Sequence, residues 1–307
     1  MADVINRSSM SGAFTPELVK EFIDRVKGAS VLAKLSEQVP VPFNGRKEFT
    51  FNMDNEVNIV AESGQKSRAG LSFDPVTIIP VKVEYGARMS NEFLYATEEE
   101  QINILRAFSD GFAKKVAKGL DLMAIHGVNP RTGSASLLIG NNCLDKAVTQ
   151  AVTASSETAD ARIEAAIALV QGSDEDVTGA AISPALRSQL ATLTANGQKL
   201  YPELAWGNAP STINGLPVGV SSNVSACPVD DGTNTTTDQG FVGNFKDYFK
   251  WGYAKEIPTK IIEFGDPDNS GRDLQGYNEI YMRAEAYIGW GILVPAAFAR
   301  IKEVNPS

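Results

Sequence analysis

Between Asn91 and Gly127 the apolar positions Leu105, Phe108, Phe112, Val116, Leu120 and Met123 recur every three or four residues, the period of one face of an α-helix. Both ends are marked. Thr97 followed by Glu100 reads as a capping box, so the helix starts there. Glu98, Glu99 and Glu100 suit the positive end of the helix dipole, Lys114, Lys115 and Lys118 lie toward the negative end, and Gly127 fits a left-handed C-cap. At ~1.5 Å per residue such a helix is a rod of roughly 43 Å, long against a mean of about 11 residues. It is either an extended scaffold or the longest core helix of a globular protein.

The period then places the other elements. Residues 1–14 are polar, Thr15 and Pro16 open a short helix through Val26 to Lys27, and Gly28 ends it. Val31 to Leu35 is a second apolar patch, and the prolines of Val39–Phe43 hold an extended arm. From Lys47 the period becomes two. Phe49, Phe51 and Met53 predict one strand, and Val81, Val83 and Tyr85 predict the second leg of a long hairpin, with Ala61–Ser72 as its polar tip. An isolated two-stranded ribbon is marginal in water, so this one needs a partner surface, from another subunit if not from its own chain. Val128–Gly140 is a loop with a short apolar run. Ile163, Ile167 and Val170 mark a helix ending at Gly172. Gly179–Ser183 is a buried strand, and Ser183 with Pro184 caps a helix through Leu193. Tyr201–Gly215 reads as loop, Leu216–Ser221 as strand and 230–238 as surface loop. Phe241–Phe245, Glu256–Phe264, Glu279–Trp290 and Ile292–Lys302 close the chain as strands. Helices early and strands late make the class α+β.

Composition narrows the chemistry. With 307 residues, 43% of them hydrophobic, the chain buries a sizeable core. A net charge of -9 argues against a nucleic-acid-binding surface, so any DNA contact is weak or local. Cys143 and Cys227, without CxxC spacing, encode neither a disulfide framework nor a zinc site and are expected to be ordinary buried thiols. No secretory start and no apolar run of bilayer length occurs, so no membrane is expected. No phosphate-binding or nucleophile-elbow motif is present, and the sole histidine, His126, is read as structural in preference to a triad with Cys143 or Ser136. Asp266, Asp268, Ser270 and Gly271 match positions of a calcium loop, but Tyr277 replaces its last ligand, so a strand-flanked turn is the better reading. Catalytic, cofactor and metal residues are expected to be absent.

In this order of elements, Val60–Leu94, Leu120–Gly127, Ala180–Pro202, Ile213–Val224, Phe241–Trp251 and Tyr281–Lys302 together resemble tailed-bacteriophage major capsid proteins of the Hong Kong 97 fold. The resemblance implies an N-terminal arm (1–44), an E-loop hairpin (45–90), a P-domain with the spine helix (91–135), an A-domain (136–247), P-domain strands (248–290) and a last A-domain strand (291–307). It implies a structural subunit of an icosahedral head, assembling with itself as pentamers and hexamers around double-stranded DNA touched weakly and non-specifically. Members with a fused scaffolding segment carry a longer N-terminal region, so the resemblance implies a separate scaffold protein or assembly without one, with portal and decoration proteins as further partners. The subunit would be made in the bacterial host cytoplasm and end in the virion. An encapsulin-type nanocompartment shell is the alternative, and a soluble enzyme with a long β-arm the outsider.

Six residues are candidates for contacts between subunits: Lys66 and Arg68 in the hairpin tip, and Asp266, Asp268, Asn269 and Asp273 in the loop Gly265–Asp273. Opposite charges on two protruding loops favour salt bridges. Some family members instead join these regions by a lysine–asparagine isopeptide bond, and Lys66 with Asn269 occupy similar places. That chemistry needs a buried carboxylate beside the lysine, which the sequence does not identify.

Overall fold

The computed structural model describes residues 25–26, 28–53, 57–60, 62–66, 68, 71–92, 98–155, 157–230, 235–254 and 259–304. The predicted start of the first helix, near Thr15, lies outside them. Its end is later than expected. The backbone is still helical at Gly28 and Ala29 and stops at Ser30, whose hydroxyl accepts from the Ala33 amide and so caps α1 (Val31–Leu35). The chain then runs through β1 (Glu37–Gln38) and the arm predicted around Val39–Phe43. Gly252 makes this approach possible, because a Cβ there would collide with the Val39 carbonyl.

The hairpin exists, but one of its legs is not the predicted one. β2 (Arg46–Met53) pairs antiparallel with β3 (Leu71–Ile78), in register from Arg46 opposite Ile78 to Met53 opposite Leu71. Val81, Val83 and Tyr85 belong instead to β4 (Val81–Ser90), which leaves the hairpin at Pro80 and lies along β15 (Glu279–Ile292). Pro75 disguised β3, because a residue without an N–H is tolerated only at an edge. Among the described residues β2 and β3 have only each other as strand partners. The root of the hairpin is anchored by Ile78, fully buried against Gly289 and Gly291 of β15. Farther out Phe49 is exposed, and Val57 and Ile59 are each 96% exposed.

The long helix α2 spans Glu98–His126, 29 residues, and Gly127 ends it at φ +68°. Thr97, the expected cap, lies outside the described residues. The predicted stripe is the face that packs. Leu105 and Phe108 meet Met89, Ile261, Ile280 and Met282, while Phe112, Val116, Leu120 and Met123 join the cluster that holds Trp251, Ile288 and Trp290. Burying each such large side chain stabilises the fold by about 1.5–3 kcal/mol. The surface under the helix is a five-stranded sheet. β4 lines one side of β15, while β13 (Phe249–Tyr253) and β14 (Thr259–Ile262) share the other side, and β1 adds to β13. The core cluster is continuous past the helix end, through Val224, Phe241, Phe245 and Phe298.

Phe241 and Phe298 belong to a seven-stranded sheet ordered β5 (Ala151–Thr153), β16 (Phe298–Val304), β12 (Thr235–Gly243), β6 (Gly179–Ile182), β10 (Leu216–Val220) and β9 (Thr212–Ile213), with β11 (Pro228–Asp230) beside the start of β12. Its other face is covered by α4 (Ala159–Gln171) and α5 (Pro184–Thr192), which follow the short α3 (Leu144–Ala147). Ser183 caps α5 as expected, accepting from the Leu186 amide. A small exposed hairpin, β7 (Thr194–Ala195) with β8 (Gln198–Lys199), follows it.

Three further expectations are corrected. Thr235–Asp238, read as surface loop, are strand, because β12 has neighbours on both sides there. Phe245 leaves the strand and opens α6 (Phe245–Tyr248), capped by the Asn244 side chain accepting from the Asp247 amide. The stretch Tyr201–Gly215 contains a 3-10 turn over Pro202–Gly207 as well as β9. The mixed helix-and-sheet class stands.

Candidate functional site

The loop between β14 and β15 is built around Arg88 of β4. Its guanidinium donates to both Asp268 carboxylate oxygens (2.5 and 2.9 Å), to Asp266 Oδ1 (2.8 Å), to Ser270 Oγ (2.6 Å), to the Arg272 carbonyl (2.9 Å) and to Glu279 Oε2 (3.0 Å). Asp266 also accepts from the Ser270 and Gly271 amides (3.0 and 2.7 Å), which closes a tight turn. The hydrogen bond from Arg88 holds the Asp268 carboxyl well below the ordinary range. The residues that mimicked a calcium loop thus converge on a cation the chain itself supplies. Asp273 accepts from the Gly276 amide, and Asn269 sits exposed at φ +53°. Arg272 pairs with Glu279 and lies over the Tyr277 ring, 4.0 Å from its centre. Lys66 and Arg68 stand exposed at the hairpin tip. The acidic loop is therefore tied to its own chain through Asp266 and Asp268, while Asn269 and Asp273, the latter accepting from the nearby Gly276 amide, are exposed.

A second polar cluster is buried where the end of α2 meets the seven-stranded sheet. Asp121, fully buried on α2, accepts from Ser30 Oγ (2.6 Å), from the Val31 and Leu32 amides (3.1 and 3.3 Å) and from Asn223 Nδ2 (3.0 Å). It serves the free amides at the start of α1 from another helix. Burial drives its pKa upward, against those four donors. One turn on, His126 donates from Nε2 to the Asn223 carbonyl (2.9 Å), and its Nδ1 lies 2.8 Å from Asp145 Oδ2. Arg300 of β16 completes the cluster, bonding Asp238 through Nε (3.1 Å) and Nη2 (2.7 Å) and the Asp145 carbonyl through Nη1 (2.5 Å). Burial opposes charge on His126, yet the hydrogen bond and charge of Asp145, the Asn223 carbonyl and the charge of Asp238 outweigh it, so its pKa is raised. Burial, followed by the neighbouring Asp145, pushes Asp238 upward, against Arg300.

His126, Asp145 and Asp238 place their ligand atoms within 4.8 Å of one another, but Arg300 bonds both acids and supplies the positive charge at that place. Both His126 nitrogens are engaged, neither by Cys143 nor by Ser136. Cys143 is buried as expected, whereas Cys227 is half-buried.

Sequence reasoning missed Arg88, Asp121, Asp145, Asp238 and Arg300. Three of them had a signal: Asp121 interrupts Leu120–Ile125, Arg88 stands in a strand, and Arg300 breaks the apolar run Ala296–Ile301. A charge inside an apolar run is either exposed or paired.

Similarity to known proteins agrees with this architecture. A search of curated proteins gives no match. Among solved structures, a chain of Mycobacterium phage Ogopogo is 35% identical with a TM-score of 0.75, over 90% of this chain and 92% of that one. A Gordonia phage Cozz chain is 22% identical with a TM-score of 0.72, over 90% and 87%. A chain of the capsid of a native GTA particle shares the fold at 14% identity and a TM-score of 0.60, over 90% of each. The model of the phage capsid family matches residues 12–302, and the encapsulin alternative is not favoured. Carrying that match over nearly its whole length, the chain belongs to the phage capsid family and is a structural, non-enzymatic major capsid protein of a phage head.

Proposed function

We propose that this capsid subunit closes an icosahedral head of hexamers and pentamers around double-stranded DNA, with the hairpin β2–β3 as the element each copy lends to its neighbours. The observation that carries the reading is that hairpin. Its strands pair only with each other among the described residues, and Phe49, Val57 and Ile59 are left to solvent. A ribbon of this kind is marginal until a further surface covers it.

In this reading the hairpin is the E-loop, α2 with the five-stranded sheet forms the P-domain, and the seven-stranded sheet with α4 and α5 forms the A-domain. The hairpin tip, with Lys66 and Arg68, meets the outward side of the Arg88-centred loop, at Asp273 and Asn269, on another copy. Scaffold, portal and decoration proteins are the further partners that the resemblance brings with it. A chain of net charge -9 touches packaged DNA weakly and without sequence preference. Synthesis takes place in the host cytoplasm.

Electron microscopy of the expressed protein tests the reading, with closed shells expected. A monomer in sedimentation under all conditions tried would overturn it, and shells filled with an enzyme cargo would turn it toward a nanocompartment.

A further inference from the structure

Trp206 combines two features that a free subunit does not use. Its side chain is fully exposed, and its backbone is left-handed, at φ 58° and ψ 27°, a conformation that bulky L-residues rarely adopt. The turn Pro202–Gly207 is built to hold it so. Arg187 of α5 donates to the Leu204 and Asn208 carbonyls (3.2 and 3.3 Å), and Asn208 donates to the Glu203 carbonyl (2.8 Å). Strain that the surroundings maintain points to use.

At the same end of the seven-stranded sheet is a cavity of about 160 Å³ between α4 and the β9–β10 edge. Its lining includes Ile163, Ile167, Leu190 and Val218, with Asp160 and Glu164 among the polar residues. Aliphatic cavities of about 150 Å³ admit an aromatic ring. An indole brings a ring and one N–H donor, which match an apolar lining and a carboxylate acceptor.

We propose that Trp206 of one copy enters the α4/β9–β10 cavity of the next, its ring against the aliphatic lining and its N–H toward Asp160 or Glu164. The inference rests on the shell-forming reading and names one contact within it. Knob and cavity are different patches of one surface, so the contact is head-to-tail, the kind that closes rings when its rotation allows. Buried tryptophans are frequent energetic anchors of such interfaces.

The test uses tryptophan emission of the full chain. Trp251 and Trp290 are buried, so of the three tryptophans Trp206 alone faces solvent. Acrylamide should quench the Trp206 component in free subunits; in closed shells that component should be protected and its emission blue-shifted. Trp206→Ala should leave subunit melting unchanged and reduce shell yield. Glu164→Arg, at an exposed position of α4, lays a long side chain across the cavity mouth and should reduce yield likewise. Wild-type shells in which Trp206 stays as quenchable as in free subunits would overturn the inference and leave the shell-forming reading standing. Protection of Trp206 together with normal yield from Glu164→Arg would overturn the assignment of the cavity. Failure of the wild-type chain to assemble at all would remove both.

Discussion

His126 is held between the Asp145 carboxylate and the Asn223 carbonyl, two acceptors that favour the protonated imidazole. Its folded pKa lies above the unfolded value of about 6.5. The stabilisation is therefore complete below about pH 6.5 and is lost as pH rises through the folded value. Asp238, raised to about 7 mainly by burial, also lowers stability as pH rises, but its loss falls between its unfolded value of about 3.9 and about 7, below the window of the histidine. Melting temperature should fall as pH rises from about 6.5 into the alkaline range, and His126→Gln should flatten that slope; equal slopes by calorimetry would dismiss the histidine's role. Phe112, 4% exposed in the core under α2, is a packing residue. Phe112→Ala should cost about 3–5 kcal/mol, read as a lower denaturant midpoint and soluble yield. Normal stability with failed assembly would place it at an interface. Phe112 was legible because the helical period is local. Asp121, Asp238 and Arg300 were not, because their partners are remote in sequence: Asp121 reaches Ser30, 91 positions away, and Arg300 reaches Asp238, 62 away.

Elements follow the same division. The length of α2 and its C-cap were readable, since both depend on neighbouring residues. The hairpin's existence was readable and its pairing was not. The alternation in Val81–Tyr85 is as strand-like as a leg should be, but it packs on β15, and Pro75 hid the true partner. A strand's period says that it pairs, not with what. The consequence for assembly is unchanged. Deleting Asn55–Ser72 removes the outer hairpin and leaves the Ile78 anchor, so the variant should be soluble and folded yet form no closed shells, checked by sedimentation and microscopy. Regular shells from it would show the hairpin to be dispensable.

At the scale of the whole molecule, net charge -9 makes every added copy repel the shell, and cations such as Lys66 and Arg68 count against that background. Lys66→Glu combined with Arg68→Glu should lower the yield of shells, most at low salt, where screening is weakest. Each exposed pair contributes only about 0–1 kcal/mol, but a shell repeats it many times. Boiled wild-type particles should run as one band near the chain mass of 32.9 kDa. A ladder of multimers that vanishes in Lys66→Ala would replace the ion pair with the Lys66–Asn269 bond.

One buried cluster runs from Trp290 in the five-stranded sheet, under α2, to Phe241 and Phe298 in the seven-stranded sheet. Asn142 and Trp290 reinforce it, each side chain donating to the other's carbonyl at 2.9 Å. Among the described residues the two sheets thus share one packed core. The hairpin root at Ile78 packs on β15, and β15 and α2 share that core with the far sheet. Free subunits should accordingly melt in one cooperative calorimetric transition. A shell made of such parts should answer internal pressure at the seams between subunits before the subunits themselves, so particles heated or stressed to rupture should release subunits that still melt at the free-subunit temperature.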